Sequence, residues 1–152
     1  SHFLATLALL FVRENPGDYD QGKVLAMALV HDLSEARLMD IPMPVSNAWL
    51  GEAKEKAEQG IFNDLFKAFP GYYSGLHDEF LEGGTNEARL LRALDKAQMM
   101  IKVLWYEKEH RGCLDEFWEK PGNFNDMGIA PVSALFDAIC RKAGKQRPVA
   151  TS

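Results

Sequence analysis

His31 and Asp32 interrupt the most apolar part of the chain, and Glu35 follows one turn later. On a helix advancing about 100° per residue, these three ionisable groups fall within a sector of about 100° shared with Val24 and Ala28. Carboxylates buried there without partners would cost on the order of several kcal/mol each, so a cation must answer them. A metal ion would serve, since imidazole together with carboxylate suits Mn, Fe, Co, Ni or Zn. The plainer reading has Asp32 in a salt bridge and His31 bonded to a carbonyl, and the dipeptide alone favours neither.

Two further residues break their local pattern. Asp95 borders an apolar stripe, one turn after Leu91 and one turn before Met99, and His2 opens an apolar segment that continues through Leu4, Leu7 and Leu10. Taken singly, such a His is more often a hydrogen-bonded core residue, and such an Asp more often pairs with a base such as Lys102 or Arg92. A second His-Asp pair, His77 and Asp78, follows Gly75 and precedes Glu79. It reads as a solvated helix start.

Helices are expected to position these groups. Residues 3–14 form a first apolar helix that ends before Asn15-Pro16-Gly17. Asp20 is the expected cap of a core helix from Gln21 to Leu38, apolar around its whole circumference. After the Pro42 and Pro44 break, Ser46 is the expected cap of a charged helix to about Gln59. Shorter helices are expected over about 61–69 and 73–82. Thr85 then caps a long helix from Asn86 to about Glu109, with Leu91, Leu94, Ile101, Leu104 and Trp105 on its apolar stripe. A short helix near 113–119, a loop over 121–128 and a last helix from Pro131 to Ala143 complete an all-α reading, because no convincing alternating strand occurs.

The 152 residues are expected to make a single domain, 1–152, with a flexible tail from about 144. The opening at Ser1 leaves almost no room for a preceding element, so an N-terminal segment is expected to be missing. Net charge of -5 argues against a nucleic-acid polymer as the main partner. No apolar run approaches the roughly 20 residues needed to cross a bilayer. Cys113 and Cys140 form no Cys-x-x-Cys pair, which excludes a zinc knuckle and suggests a reducing, cytoplasmic setting.

The segment from His31 to Pro42, His-Asp-Leu-Ser-Glu-Ala-Arg-Leu-Met-Asp-Ile-Pro, resembles the His-Asp-x-x-Glu-(x)4-Asp-(Ile/Leu)-Pro signature of HD-domain metal-dependent phosphohydrolases, in their 5′-deoxynucleotidase branch. The block from Asn86 to Lys96 is similar to the family's later Glu-Ala-Arg…Ala-Leu-Asp-Lys stretch, so the likeness spans most of residues 2–110. Beside the first histidine the chain departs from the family, with Ser1 before it and Phe3 after it. The resemblance implies a compact all-α helical bundle and one divalent ion, of Mn, Co, Zn, Fe, Ni or Mg, held by His2, His31, Asp32 and Asp95. It also implies a nucleotide substrate, preferably a deoxynucleoside 5′-monophosphate, and a homodimer. Glu35 would be the general base and Asp40 the acceptor for the sugar 3′-hydroxyl, although Asp40 also reads as a plain loop residue before Pro42. Near the signature blocks, Arg37 and Lys96 are the candidates for phosphate, and both also read as surface salt-bridge residues. Rivals are hydrolysis of a nucleoside triphosphate or guanosine polyphosphate, and a non-catalytic metal- or nucleotide-binding module.

Overall fold

The computed structural model describes residues 2–17, 19–42, 45–69 and 71–149. Among these there is no strand, and eight α-helices follow one another: α1 (His2–Glu14), α2 (Gln21–Val30), α3 (Glu35–Leu38), α4 (Glu52–Leu65), α5 (Tyr72–Glu82), α6 (Asn86–Lys108), α7 (Asp115–Glu119) and α8 (Ala130–Ala143). A π-helical turn at Ser46–Leu50 and a 3-10 turn at Pro121–Phe124 fill two connections. No helix in the described residues is long and apolar enough to cross a membrane.

The centre of the fold is α6, which packs against α1, α2, α5, α8 and the 3-10 turn. Its buried residues include Ala88, Ala93 and Ala97 among larger Leu, Met and Val side chains. Those small positions let neighbouring helices approach, while the large ones fill the space between them. Thr85 caps the helix as expected, accepting from the Ala88 amide at 3.2 Å. Asp20 does the same for α2, accepting from the Lys23 amide at 3.0 Å.

The expected core helix 21–38 is the main correction. It ends at Val30, and residues 31–34 form a tightened turn in which Leu33, Glu35 and Ala36 donate to carbonyls only three residues back. It is not apolar on all sides either, since Leu29 is 51% exposed. The cause lies in the sequence: His31, Asp32 and Ser34 are polar residues that interrupt the apolar run, and the tightened turn keeps His31 and Ser34 buried while leaving Asp32 partly exposed. Further on, Ser46 begins the π-helical turn, and α4 starts later, after Gly51 at φ +47°. That helix also runs through Gly60, where a break was expected, to Leu65. Phe62, fully buried, anchors it; the roughly 1 kcal/mol penalty of a mid-helix glycine is the smaller effect. Trp105 is another correction, being 62% exposed with its indole N–H donated to Glu109 at 2.6 Å. Pro44, an expected breaker, and Pro70, in the expected gap between the 61–69 and 73–82 helices, lie outside the described residues. Both cysteines are free.

Beyond Ala143 the chain leaves the helix but is fastened by two bases. Lys145 pairs with Asp115 at 2.5 Å. Arg147 donates to the Phe124 carbonyl at 2.7 Å, Asp126 at 2.9 Å and Ser133 Oγ at 2.7 Å. Arg147 thus holds the 124–128 loop, which Arg89 grips from α6 through the Met127 carbonyl at 2.6 Å. Its hydrogen bond holds the Asp126 carboxyl below the ordinary value. A carboxyl depressed in the folded state stabilises the fold above its unfolded pKa, and that contribution is lost as pH falls through the folded value. Arg147→Ala should therefore destabilise the protein by about 2 kcal/mol at neutral pH in urea unfolding. The difference from wild type should narrow below the ordinary Asp range of about 3.9; a gap independent of pH would exclude this ion pair as its source.

Candidate active site

The tightened end of α2 fixes His31. Its side chain is buried, the ring leans on Phe80 with centroids 4.9 Å apart, and Nδ1 donates to the Ala28 carbonyl at 3.1 Å. A carbonyl only accepts, so Nδ1 carries the proton, and in the neutral ring Nε2 carries the lone pair. Nε2 lies 2.8 Å from Asp32 Oδ2. The carboxylate stands off the direction of a ring proton, however, so Nε2 is buried without a hydrogen bond. Burial lowers the basicity of this imidazole, but Asp32, Asp95 and the Ala28 carbonyl together raise it above the ordinary value. A buried imidazole lone pair beside a carboxylate, oriented by a backbone carbonyl, is the form in which histidine binds a metal.

Asp32, Glu35 and Asp95 share one wall between two adjoining cavities. The first, of about 370 Å³, adds His31, His77, Lys54, Arg92 and Lys96. The second, of about 600 Å³, adds Asp40 and a run of α6 residues that ends at Tyr106. Burial raises the Asp95 carboxyl, and the charge of Asp32 adds to the effect, against His31, Lys96 and Lys102. Glu35 is raised to about 7, first by burial and then by the charges of Asp32 and Asp40, with Lys54 opposing and Glu58 adding. Carboxyl groups pushed upward together mark a place where positive charge would be stabilising.

The expected residues do not all meet. His31, Asp32, Glu35 and Asp95 line the first cavity, and Asp40 stands at the rim of the second, delivered there by Met39 at φ +70°. Arg37 turns away and pairs with Asp64 at 2.5 Å. His2 is exposed at the start of α1 and lines neither cavity. The buried side of α1 is formed by Leu4, Ala8, Phe11 and Val12, and His2 lies about 140° from its centre on the helical wheel. Among the described residues no three His, Cys, Asp or Glu side chains stand close enough together to hold an ion. Imidazole and carboxylate at His31, Asp32 and Asp95 are donor types that suit a divalent ion, but in this structure neither these three nor the expected four-residue shell is drawn together around one point.

His77 was misread by sequence. Far from being a solvated helix start, it is 2% exposed in the middle of α5, stacked on Phe62 at 4.2 Å, with Nδ1 unpartnered. Burial lowers its basicity, Asp78 and Glu58 oppose this, and the nearby His31 adds to the lowering. The signal was available: Tyr73, Leu76, His77 and Phe80 recur at helical spacing. Lys96, read as a surface base, lines the cavity wall as well.

A family model described as HD domain matches residues 1–121. The chain belongs to the HD domain family. Its enzymes are metal-dependent phosphohydrolases, in keeping with the donor set around His31. This HD domain is 26% identical over 145 residues to the protein named 5′-deoxynucleotidase HDDC2 of Xenopus laevis, covering 90% of the chain and 71% of the relative. It is 28% identical over 102 residues to the protein of the same name in Dictyostelium discoideum, covering 64% of the chain and 53% of that relative. Among solved structures it superposes on a Pyrococcus horikoshii protein with a TM-score of 0.74 at 29% identity, covering 94% of this chain and 79% of that one. A conserved hypothetical protein of Pyrococcus furiosus gives 0.73 at 26% identity, covering 93% and 78%.

If His31 and Asp95 hold an ion in this HD domain, His31→Ala and Asp95→Asn should each weaken Mn retention by at least about ten-fold in dialysis followed by elemental analysis. Arg37→Ala should retain the ion as wild type does. Equal retention by wild type and Asp95→Asn would remove Asp95 from the centre.

Proposed function

We propose that this HD domain hydrolyses nucleoside 5′-monophosphates, preferably those of deoxyribose, to nucleoside and phosphate. The observation that carries the reading is the wall of Asp32, Glu35 and Asp95 beside the unpartnered Nε2 of His31, which joins metal-binding donors to a carboxyl raised to about 7. The names of the Xenopus and Dictyostelium relatives point to the same chemistry. His31, Asp32 and Asp95 would hold the ion. When bound, a divalent cation supplies Lewis acidity toward the phosphoryl group and lowers the pKa of the attacking water.

Glu35 is the general base. A carboxyl near pH 7 is ionised enough to accept a proton, yet basic enough to take one from water. Water adds to phosphorus, the bond from phosphorus to the 5′ oxygen breaks, and the proton taken by Glu35 is returned to that oxygen. The carboxyl ends as it began. Lys96, on the wall of the first cavity, offers a charge to phosphate, whereas Lys54 pairs with Glu58 at 3.4 Å and Arg92 donates to the Leu81 carbonyl at 3.1 Å. That modest supply of cations suits one phosphate better than a chain of three. Asp40 at the rim would accept from the sugar 3′-hydroxyl.

Glu35→Gln should lower kcat about 10²- to 10⁴-fold for phosphate release from deoxynucleoside monophosphates, with the metal content of wild type. Activity should rise with pH on the acid limb. That limb should fall below 7 once an ion is bound, because added positive charge stabilises the ionised carboxylate. A Glu35→Gln protein with full turnover would exclude the base. Asp40→Asn should narrow the preference for deoxyribose over ribose substrates, measured as the ratio of kcat/KM; an unaltered ratio would take Asp40 out of sugar recognition.

A further inference from the structure

The segment 124–128 faces two ways. Phe124 and Asp126 meet the end of the chain, where one amino nitrogen of Arg147, Nη2, donates to the Phe124 carbonyl at 2.7 Å and to Asp126 Oδ2 at 2.9 Å. Asn125 and Met127, the alternate residues, line the first cavity with His31, Glu35 and Asp95. Alternation of this kind belongs to extended backbone, and Asn125 has its dihedrals, φ -73° and ψ 105°. What fixes one face therefore sets the other.

Arg147 joins this segment to the core. Its second amino nitrogen, Nη1, donates to Ser133 Oγ at 2.7 Å and to Asp137 at 3.4 Å on α8, and the guanidinium lies 5.2 Å over the Phe136 ring. A planar fork can hold both sides at once, whereas a lysine ammonium cannot reproduce that geometry. The segment needs holding. Met127 sits at φ +52°, beside Gly128 at φ +75°, and a residue with a Cβ stays in the left-handed region only where its surroundings impose it. Asn125 Oδ1 and Asp126 Oδ1 accept from the amides two residues on, and Arg89 takes the Met127 carbonyl from α6. With its oxygen committed to Met127, the Asn125 carboxamide keeps two N–H donors that have no partner among the described residues.

We propose that Arg147 is a positioning residue of the first cavity, holding segment 124–128 so that Asn125 offers its free N–H groups to a phosphate monoester bound there. Both the segment and the arginine lie beyond residue 121, where the match to the family model ends. The proposal rests on the phosphomonoesterase reading and adds to it a piece of wall fastened from the C-terminal end of the chain. Contacts made as the substrate binds and kept as it reacts change KM and leave kcat. Loss of Arg147 is therefore felt in binding.

The test is KM and kcat for deoxyadenosine 5′-monophosphate in added Mn. Arg147→Ala and the milder Arg147→Lys should each raise KM by about 2- to 12-fold, the range for one hydrogen bond, with kcat within about two-fold of wild type. Arg147→Lys keeps the charge on the tail and carries the test where Arg147→Ala is too unstable to assay. Asn125→Ala should raise KM alike, and the double variant Arg147→Lys, Asn125→Ala should be no worse than Asn125→Ala alone, because both act through one contact. Lys145→Ala, which frees the same tail from Asp115, should keep the KM of wild type. An unaltered KM in the Arg147 variants overturns the proposal. So does a fall in kcat alone, which marks loss of folded protein, a Lys145→Ala KM raised as far as that of Arg147→Lys, or full additivity in the double variant. Absence of phosphate release by wild type overturns the phosphomonoesterase reading instead. The positioning role is then judged by equilibrium dialysis with inorganic phosphate, where weaker retention by Arg147→Lys than by wild type supports it. Equal retention, or none by either protein, overturns it.

Discussion

The hydrogen bond from His31 Nδ1 to the Ala28 carbonyl is the constraint on which the site depends. It decides which ring nitrogen carries the proton, leaves the other beside Asp32 but unpaired, and does so from the end of a helix that has just tightened. Phe80 packs against the same ring and removes its remaining freedom. Without this restraint the imidazole would turn toward water or another donor, and the carboxylates would lose the neighbour that offsets part of their mutual repulsion. The raised Glu35 carboxyl belongs to the same balance, since its neighbours are mostly negative and its surroundings largely dry.

The second organising feature is α6, which is both the axis of the core and a wall of the cleft. Packing on five neighbouring elements gives Asp95 a rigid seat, and the same helix extends the wall into the second cavity. Functional side chains set on rigid elements keep their geometry better than those on loops. The rest of the cavity wall comes from shorter pieces: Glu35 on the four-residue α3, and Asn125 and Met127 on the 124–128 loop that Arg147 and Arg89 hold.

Much of the helical plan was legible because capping and turn residues act locally. Asp20 and Thr85 bind the amides that their positions suggest, and Asn15-Pro16-Gly17 stops α1. The His-Asp-x-x-Glu block was legible as a site because charged residues in an apolar run demand a partner. What escaped depends on how helices pack, which a wheel for a single helix does not contain. His77 looks solvated beside Asp78 and Glu79, yet Phe62 from another helix covers it. Leu29 and Trp105 look like core residues, yet no element among the described residues covers them. The end of α2 failed for a related reason: a change from 3.6 to about 3 residues per turn leaves no periodic trace over four residues. That change matters for the site, because groups three apart, such as Asp32 and Glu35, eclipse in the tighter turn.

Carrying Asp95 and Tyr106 on one uninterrupted helix also limits how this chain can vary over generations. Insertion or deletion of one residue between positions 95 and 106 would swing everything beyond it by about 100° and carry Tyr106 out of the second cavity. Length changes should therefore accumulate in the connections before and after α6, such as Gly83-Gly84 and the stretch from 109 to 114, while the span between the carboxylate and the tyrosine keeps a fixed count.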